Sequence, residues 1–464
     1  MTIQDLIGKK LYFIGIGGSS MSGLALFMQN RGCIISGSDS ASGHKTDKLI
    51  EHGIKVFIGH QPENVHDTDL VVYSAAIKED NPERAEAKRL GIPQIERAVL
   101  LGRIMTLYNS AICVSGTHGK TTTTSMIAQC FYEAGRDPGV HIGGELDAIG
   151  GSTLMGNGDT FIAEACEYNG SFWNFYPTIG IITNIDEDHL DFYGNIDNIQ
   201  KGFSRFAKLI PADGWCVGWG GDKRVREVME KLTCHKRTYG LEPFNELRAE
   251  NISYDEYGRA FFTATLFGHP LMDVQLQVSG EKNLLDALAC IAVCSICELP
   301  MSSVAETLER FTGAKRRFEL TSTTDGVNLY TDYAHNPEEM MNAISNAAAQ
   351  PHKTLYAVWQ PFTFSRTKDL WNGFMETFDQ ADVVVLTDIM GGRDKQADFP
   401  EITSEAVVKA LCEKGIKAVH TPTFDDAEAY LRANWQDGDV VISMGCGNVN
   451  LLNEQIALHG DSKK

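Results

Sequence analysis

Short apolar runs alternate with longer polar stretches along nearly the whole chain, in three successive blocks. In the first, from about Lys9 to Arg103, the runs LYFIGIG, CIISGSD, VFIGH and LVVYSAA are separated by polar, helix-compatible segments. This is the βαβ rhythm of a parallel sheet covered by helices. The second block opens near Ala111 with AICVSG and continues through FIAEA and IGIITNI to a cysteine-containing helical stretch. Within it, from about 215 to 280, Gly-, Trp- and Thr-rich stretches such as GWCVGWGG and AFFTATLFG predict added antiparallel strands. The third block starts near Lys315, with NLYTDY, TLYAVWQ, VVVLTDI and VVISMGCG as strands between helical stretches. There is no repeat and no low-complexity tract.

A length of 464 residues agrees with three blocks at about 150 residues per domain. With 43% hydrophobic and 22% charged residues the chain reads as globular. The net charge of −20 argues against a general binder of nucleic acid or of an anionic membrane, both of which need a basic face. It leaves room for an anionic small substrate, because a local cluster of Lys, Arg and backbone N–H groups binds phosphate inside an acidic protein. No apolar run reaches about 18 residues, and MTIQDLIGKKLYFIGIGG enters a strand at once without the pattern of a signal peptide. Eleven scattered cysteines, an odd number, favour reduced thiols, so the expected location is the cytoplasm. Cys290, Cys294 and Cys297 have a spacing that holds iron–sulfur clusters elsewhere. In NLLDALACIAVCSICEL, however, it places three thiols on one face of a continuous helix, and the expected role is core packing. Nothing in the pattern specifies an oligomeric state.

The strongest chemical signal is ICVSGTHGKTTTTSMIAQCFYEAG. A β-prone run ends at Ser115, the loop Gly116-Thr117-His118-Gly119 follows, and Lys120 and Thr121 open a helix that ends near Gly135. Glycines let such a loop aim backbone N–H groups at phosphate, and the helix N-terminus adds partial positive charge. Lys120 can neutralise β/γ-phosphate oxygens and the Thr121 hydroxyl can hold Mg²⁺. Val114 stands where the Walker A form places its first glycine, so this loop is shorter. FIAEACE reads as a buried strand ending at Glu164, which is either a carboxylate for Mg²⁺ or an ordinary strand-end acid. IGIITNIDEDHLD reads as a strand and then a loop carrying Asp186, Asp188, His189 and Asp191, either a ligand loop or a solvated turn. In the first block Gly15, Gly17 and Gly18 follow a strand, Gly23 lies beyond, and Ser20 stands where the dinucleotide fingerprint has its third glycine. Asp39 ends the second strand. On these residues the loop suits either NAD or another diphosphate.

GTHGKTTTT, EACEYNGSF, TNIDEDHLD, GEKNLLDALA, KRRFE, DYAHNP and QPFTFSRT occur in the order found in the Mur ligase family, which the chain resembles over nearly its whole length. The family makes amide bonds with ATP in cytoplasmic peptidoglycan precursor synthesis. GIGGSSMSGLA, SGSD, IGHQPENV and VVYSAAI resemble the members that join L-alanine to UDP-N-acetylmuramate, so these are the implied substrates, with ATP and Mg²⁺. The implied fold is α/β with three domains. Residues 1–103 form a Rossmann-like UDP-sugar domain, and 104–314 a P-loop-type ATPase domain with a parallel sheet plus a small antiparallel part. Residues 315–464 form a Rossmann-like domain completing the ATP and amino-acid site.

By resemblance, Gly116, Thr117, His118, Gly119, Lys120, Thr121 and Thr122 cradle ATP, with Asn283, Arg317 and Asp332 as further nucleotide contacts. Thr121 and Glu164 hold one Mg²⁺ and His189 a second; Lys120, Glu164 and His189 are the catalytic set. Gly15, Gly17, Gly18, Ser19 and Ser74 fall on UDP-sugar loops, and His118 also on the sugar side. His335 lines the site and Arg366 meets the amino-acid carboxylate. The chain departs from the L-alanine-adding pattern at Phe362, where relatives often have His, at Asn336 in HNP against HHP, and in EACEY against EADES. No match to the family's modified lysine follows His189, and Lys201 and Lys208 are expected at the surface.

Overall fold

A computed structural model describes residues 2–392 and 394–461. It has a three-domain α/β architecture, with one sheet for each block. The first sheet comprises β1 (Lys10–Ile14), β2 (Ile34–Asp39), β3 (Lys55–Ile58), β4 (Leu70–Tyr73) and β5 (Gln94–Glu96). Its order is β3-β2-β1-β4-β5 and every pairing is parallel. Alternate residues of β1 enter different cores, Leu11 and Phe13 one and Tyr12 and Ile14 another. Burial on both faces is why the strand reads as a continuous apolar run. The order reverses between β1 and β4, which places the crevice for a ligand at the carboxyl ends of those strands.

The second sheet has ten strands. These are β6 (Ser110–Ser115), β7 (Gly139–Leu146), β8 (Gly151–Leu154), β9 (Thr160–Glu164), β10 (Ile179–Ile182), β11 (Trp215–Trp219), β12 (His235–Gly240), β13 (Leu247–Tyr254), β14 (Arg259–Leu266) and β15 (His269–Ser279). Their order is β15-β14-β13-β12-β11-β10-β6-β9-β7-β8. The GWCVGWGG stretch departs from the sequence expectation. β11 pairs in parallel with both β10 and β12, and β12 in parallel with β13. The helix Lys223–Glu230 supplies the crossover from β11 to β12 that parallel neighbours require. β13, β14 and β15 are joined only by residues 255–258 and 267–268, connections short enough for antiparallel neighbours alone. The antiparallel β7–β8 hairpin has no counterpart in the apolar runs.

The third sheet comprises β16 (Glu319–Thr324), β17 (Val327–Asp332), β18 (Leu355–Trp359), β19 (Val383–Leu386), β20 (Ala418–His420) and β21 (Val440–Met444), in the order β16-β17-β21-β18-β19-β20. β16 is antiparallel to β17 and the other pairings are parallel. Apolar cores cover both faces, Leu355 and Ala357 on one and Tyr356 and Val358 on the other.

The chain divides into two compact units: residues 1–252 with 261–276 and 281–311, and residues 253–260 with 277–280 and 312–464. Among the described residues no helix is long and apolar enough to cross a membrane. The cysteine helix, Glu281–Ile296, buries Cys290 and Cys294 as expected. Cys297 lies past its end and is only partly buried; the third thiol of the cluster is Cys130, from another helix.

Candidate active site

β6 ends at Ser115, whose hydroxyl donates to the carbonyl of Ile181 on the neighbouring strand (2.7 Å). The chain then turns through Gly116 to Gly119 into the helix Lys120–Glu133. Two glycines are required here. Gly116 has φ +141° and a Cβ there would collide with Thr183 Oγ1, while Gly119 has φ +81° and a Cβ would lie 2.5 Å from Asp286 Oδ1. The loop is tied to the segment after β10. Thr117 N–H donates to Asn184 O (3.1 Å), His118 N–H to Asn184 Oδ1 (2.8 Å), and Thr183 Oγ1 to His118 O (2.5 Å). Two loop amides are thus already occupied. The donors without an intrahelical acceptor are those opening the helix, at Lys120, Thr121 and Thr122, where the helix dipole is also positive.

Lys120 folds back over this loop. Its Nζ donates to Gly116 O (2.6 Å), Thr117 O (2.9 Å) and Glu167 Oε1 (3.1 Å), and lies 3.0 Å from Glu167 Oε2. Burial alone would lower its pKa, but Glu167, with Cys166 and Glu164, holds the ammonium above its ordinary value. Thr121 Oγ1 donates to Glu164 Oε2 (2.9 Å), which also accepts the Gly143 N–H (2.9 Å). Glu164 ends β9 beside β6, in register with Val114, so strand pairing brings the acid to the loop. His189 is left-handed (φ +50°) and packs on Tyr168 with ring centres 4.8 Å apart. Its Nε2 lies 3.8 Å from Glu167 Oε1 and its Nδ1 3.6 Å from Asp188 Oδ1. The side chain of Asp191 lies outside those described.

Lys120 and Thr121 are adjacent, Thr121 is bonded to Glu164, and Glu167 is the residue that joins Lys120 to His189. It is 2% exposed, its backbone carbonyl accepts from Tyr193 OH (2.7 Å), and its Oε2 makes no hydrogen bond. Glu167, Asp188 and His189 offer ligand atoms within 4.8 Å of one another. The sequence reading passed over Glu167, although its place three residues after the strand-end acid was a usable signal. It also passed over Asp286, which accepts from Thr123 Oγ1 (2.8 Å) and so ties the helix Glu281–Ile296 to the first turn of the helix that follows the phosphate loop. Asn283 lies one turn earlier on that helix.

At the first sheet the glycine loop is held by backbone bonds. Gly15 and Ile16 N–H donate to Ser38 O, and Gly17 N–H to Asp39 Oδ2 (2.8 Å). Asp39 thus braces the loop. Gly18 N–H closes a turn onto Gly15 O (3.1 Å), Lys45 Nζ donates to Ser19 Oγ (2.6 Å), and Ser74 follows β4 across the order reversal, beside Gly15. Ser20 Oγ is bonded to Arg97 Nη1 (2.9 Å) and to His141 Nε2 (2.7 Å), whose Nδ1 meets Thr153 Oγ1 (3.1 Å). Burial, and then the Arg97 charge, push His141 down to about 3, so it links the loop to the β7–β8 hairpin as a neutral ring.

In the second unit Asp332 ends β17 and accepts the N–H groups of Phe318 and Ala334, each at 2.7 Å. Burial raises it to about 6, against the Arg317 charge and those two bonds. Arg316 and Arg317 lie over the Tyr333 ring, 4.9 and 5.4 Å from its centre. His335 Nδ1 is 3.0 Å from Tyr333 O and 3.2 Å from Glu339 Oε2, and burial pushes it below its ordinary value. Arg366 donates through Nη1 to Cys446 Sγ (3.6 Å), and its guanidinium lies 6.0 Å from the Phe362 ring centre. Asn336 is the N-cap of the helix Pro337–Ala348, accepting the Glu339 N–H (3.0 Å) ahead of a first-turn proline. Its side chain is engaged in starting a helix. Lys201 and Lys208 are exposed.

Three family models match the chain: "Mur ligase family, catalytic domain" over residues 10–109, "Mur ligase middle domain" over 114–294, and "Mur ligase, glutamate ligase domain" over 316–447. A UDP-N-acetylmuramate–L-alanine ligase of Acetivibrio thermocellus is 43% identical over 447 residues, 96% of this chain and 95% of that one. One of Clostridium botulinum strain Hall is 42% identical over 446 residues, 96% and 97%. The solved UDP-N-acetylmuramate-alanine ligase of Thermotoga maritima superposes with a TM-score of 0.83 at 26% identity, covering 97% of this chain and 99% of the other. A murein peptide ligase of Psychrobacter arcticus, at 22% identity and a TM-score of 0.76 over 97% and 98%, shares the fold.

Proposed function

The chain belongs to the Mur ligase family, and from that premise we propose that it joins L-alanine to the carboxylate of UDP-N-acetylmuramate in cytoplasmic peptidoglycan precursor synthesis. It is an ATP-dependent amide-bond-forming ligase. The observation that carries the choice of substrates is identity of 42–43% over 96% of the chain to relatives bearing that name.

A carboxylate is a poor acylating agent at neutral pH, so it must first acquire a leaving group. The substrate carboxylate attacks the γ-phosphate of ATP to give an acyl phosphate and ADP. The alanine amine then attacks the acyl carbon, phosphate leaves, and the amine gives up a proton. The first barrier is mainly repulsion between anions, so correctly placed cations do most of the work. Lys120 supplies one such cation, kept charged by Glu167. The oxygen-rich sets Thr121–Glu164 and Glu167–Asp188–His189 suit a hard divalent cation. They would hold Mg²⁺, which when bound neutralises phosphate charge.

The proposed division assigns the UDP-sugar to 1–103, through Gly15, Gly17, Gly18, Ser19 and Ser74, and the triphosphate to 104–314, through the phosphate loop and Asn283. Residues 315–464 supply Arg317 and Asp332 to the nucleotide, His335 to the site, and Arg366 to the alanine carboxylate. Phosphate release with ATP, Mg²⁺ and UDP-N-acetylmuramate, measured across L-alanine, glycine, L-serine and short peptides, tests the reading. Release that requires L-alanine is expected. Release with another amine only, or with none, overturns the choice of nucleophile.

A further inference from the structure

Cys130, on the helix that begins at Lys120, meets Cys290 and Cys294 on the helix Glu281–Ile296 where the two helices pack together. The sulfurs of Cys130 and Cys290 are 3.7 Å apart and those of Cys290 and Cys294 3.8 Å, and all three lie within 4.8 Å of one another. All three are buried. Three sulfurs around one ion at about 2.3 Å stand about 3.8 Å apart at a tetrahedral angle and about 4.0 Å apart in a trigonal plane. Two of the three spacings are therefore already those of ligands to one ion, and the third is no more than 4.8 Å. Among the described residues no carboxylate or imidazole belongs to the same group, so the donor set is sulfur alone. All-sulfur, three-coordinate surroundings select a soft cation over the hard ions suited to the phosphate loop.

We propose that Cys130, Cys290 and Cys294 form a binding site for a single soft, thiophilic cation of the Cu(I) class. Two thiols lose their protons as the ion enters and the third stays protonated, leaving a net charge of −1; a third deprotonation would bury a second charge, at a cost of several kcal/mol. The site lies on the same pair of helices as the Thr123–Asp286 bond, about two turns further from the phosphate loop. One of its helices carries Lys120, Thr121 and Thr123, and the other carries Asp286, which binds Thr123. An occupying ion would fasten these helices together.

The test is an anaerobic titration of the reduced full-length chain with Cu(I), in competition with a chromogenic Cu(I) chelator. One ion per chain by native mass spectrometry, with two protons released into weak buffer, is the expected result. Cys130→Ala, Cys290→Ala and Cys294→Ala should each weaken binding by at least about tenfold, while Cys297→Ala leaves it unchanged. An alkylation footprint on the unaltered chain does not depend on the variants folding. In a brief urea pulse with N-ethylmaleimide, bound Cu(I) should protect Cys130, Cys290 and Cys294 and leave the other cysteines reactive. Equal labelling of the three with and without Cu(I), loss of the ion in Cys297→Ala alone, or no ion retained against the chelator would each overturn the site.

Discussion

Replacing Glu167 by Gln tests the electrostatics of the site directly. The change keeps the shape and one acceptor for Lys120 but removes the charge that balances the ammonium. The Lys120 and Glu167 side chains are 13% and 3% exposed, so water screens the pair little. At 3.0 Å and an effective dielectric of about 20 the Coulomb attraction is about 5.5 kcal/mol. Breaking a buried pair by removing one partner costs about 3–5 kcal/mol. The retained hydrogen bond and the nearby Glu164 offset part of that, so a loss of about 3 kcal/mol is expected. Because the folded chain raises the Lys120 pKa, the stabilisation is complete below the unfolded value of about 10.4 and is lost only as pH rises through the higher folded value. Urea unfolding of both proteins at pH 7 and pH 9 should therefore give the same gap at each pH. A gap under about 0.5 kcal/mol at neutral pH, the level of an ordinary surface change, or one that shrinks markedly by pH 9, would refute the view of Glu167 as counter-charge to Lys120.

Lys120→Ala should abolish phosphate release while calorimetry finds UDP-N-acetylmuramate binding nearly unchanged, since the proposed sites lie at different sheets. Gly119→Ala should cost about 1–3 kcal/mol, from the positive φ and the contact with Asp286, and should raise the KM for ATP more than that for the UDP-sugar. Asp332, raised to about 6 by burial, holds a proton that the unfolded chain releases near 3.8. Its contribution to folding is complete below the latter value and fades as pH rises through the former. The carboxylate is charged only above about 6, so kcat/KM for ATP should fall below that pH, and Asp332→Asn should be slow at every pH without that limb. Asn336→Ala should lower stability by about 1 kcal/mol through loss of a helix cap, and the choice of amine should stay as it was.

Features that depend on near neighbours were legible along the chain. The continuous apolar runs announced three sheets because strands covered on both faces have no polar side. The loop GTHGKT announced a phosphate cradle because its glycines, lysine and threonine act within six consecutive residues. Tertiary structure decided what depends on residues far apart in the chain. Strand order brings Glu164 from β9 to Thr121, 43 positions away, and a helix begun at Glu281 carries Asp286 to Thr123 and Cys290 to Cys130. GWCVGWGG could not disclose its parallel pairing, because direction is set by the crossover that follows and not by composition. The place of Glu167 three residues past a strand-end acid marked it as a candidate but gave it no partner. Burial between Lys120 and His189 is what gives it a charge to balance, and burial is a property of the fold.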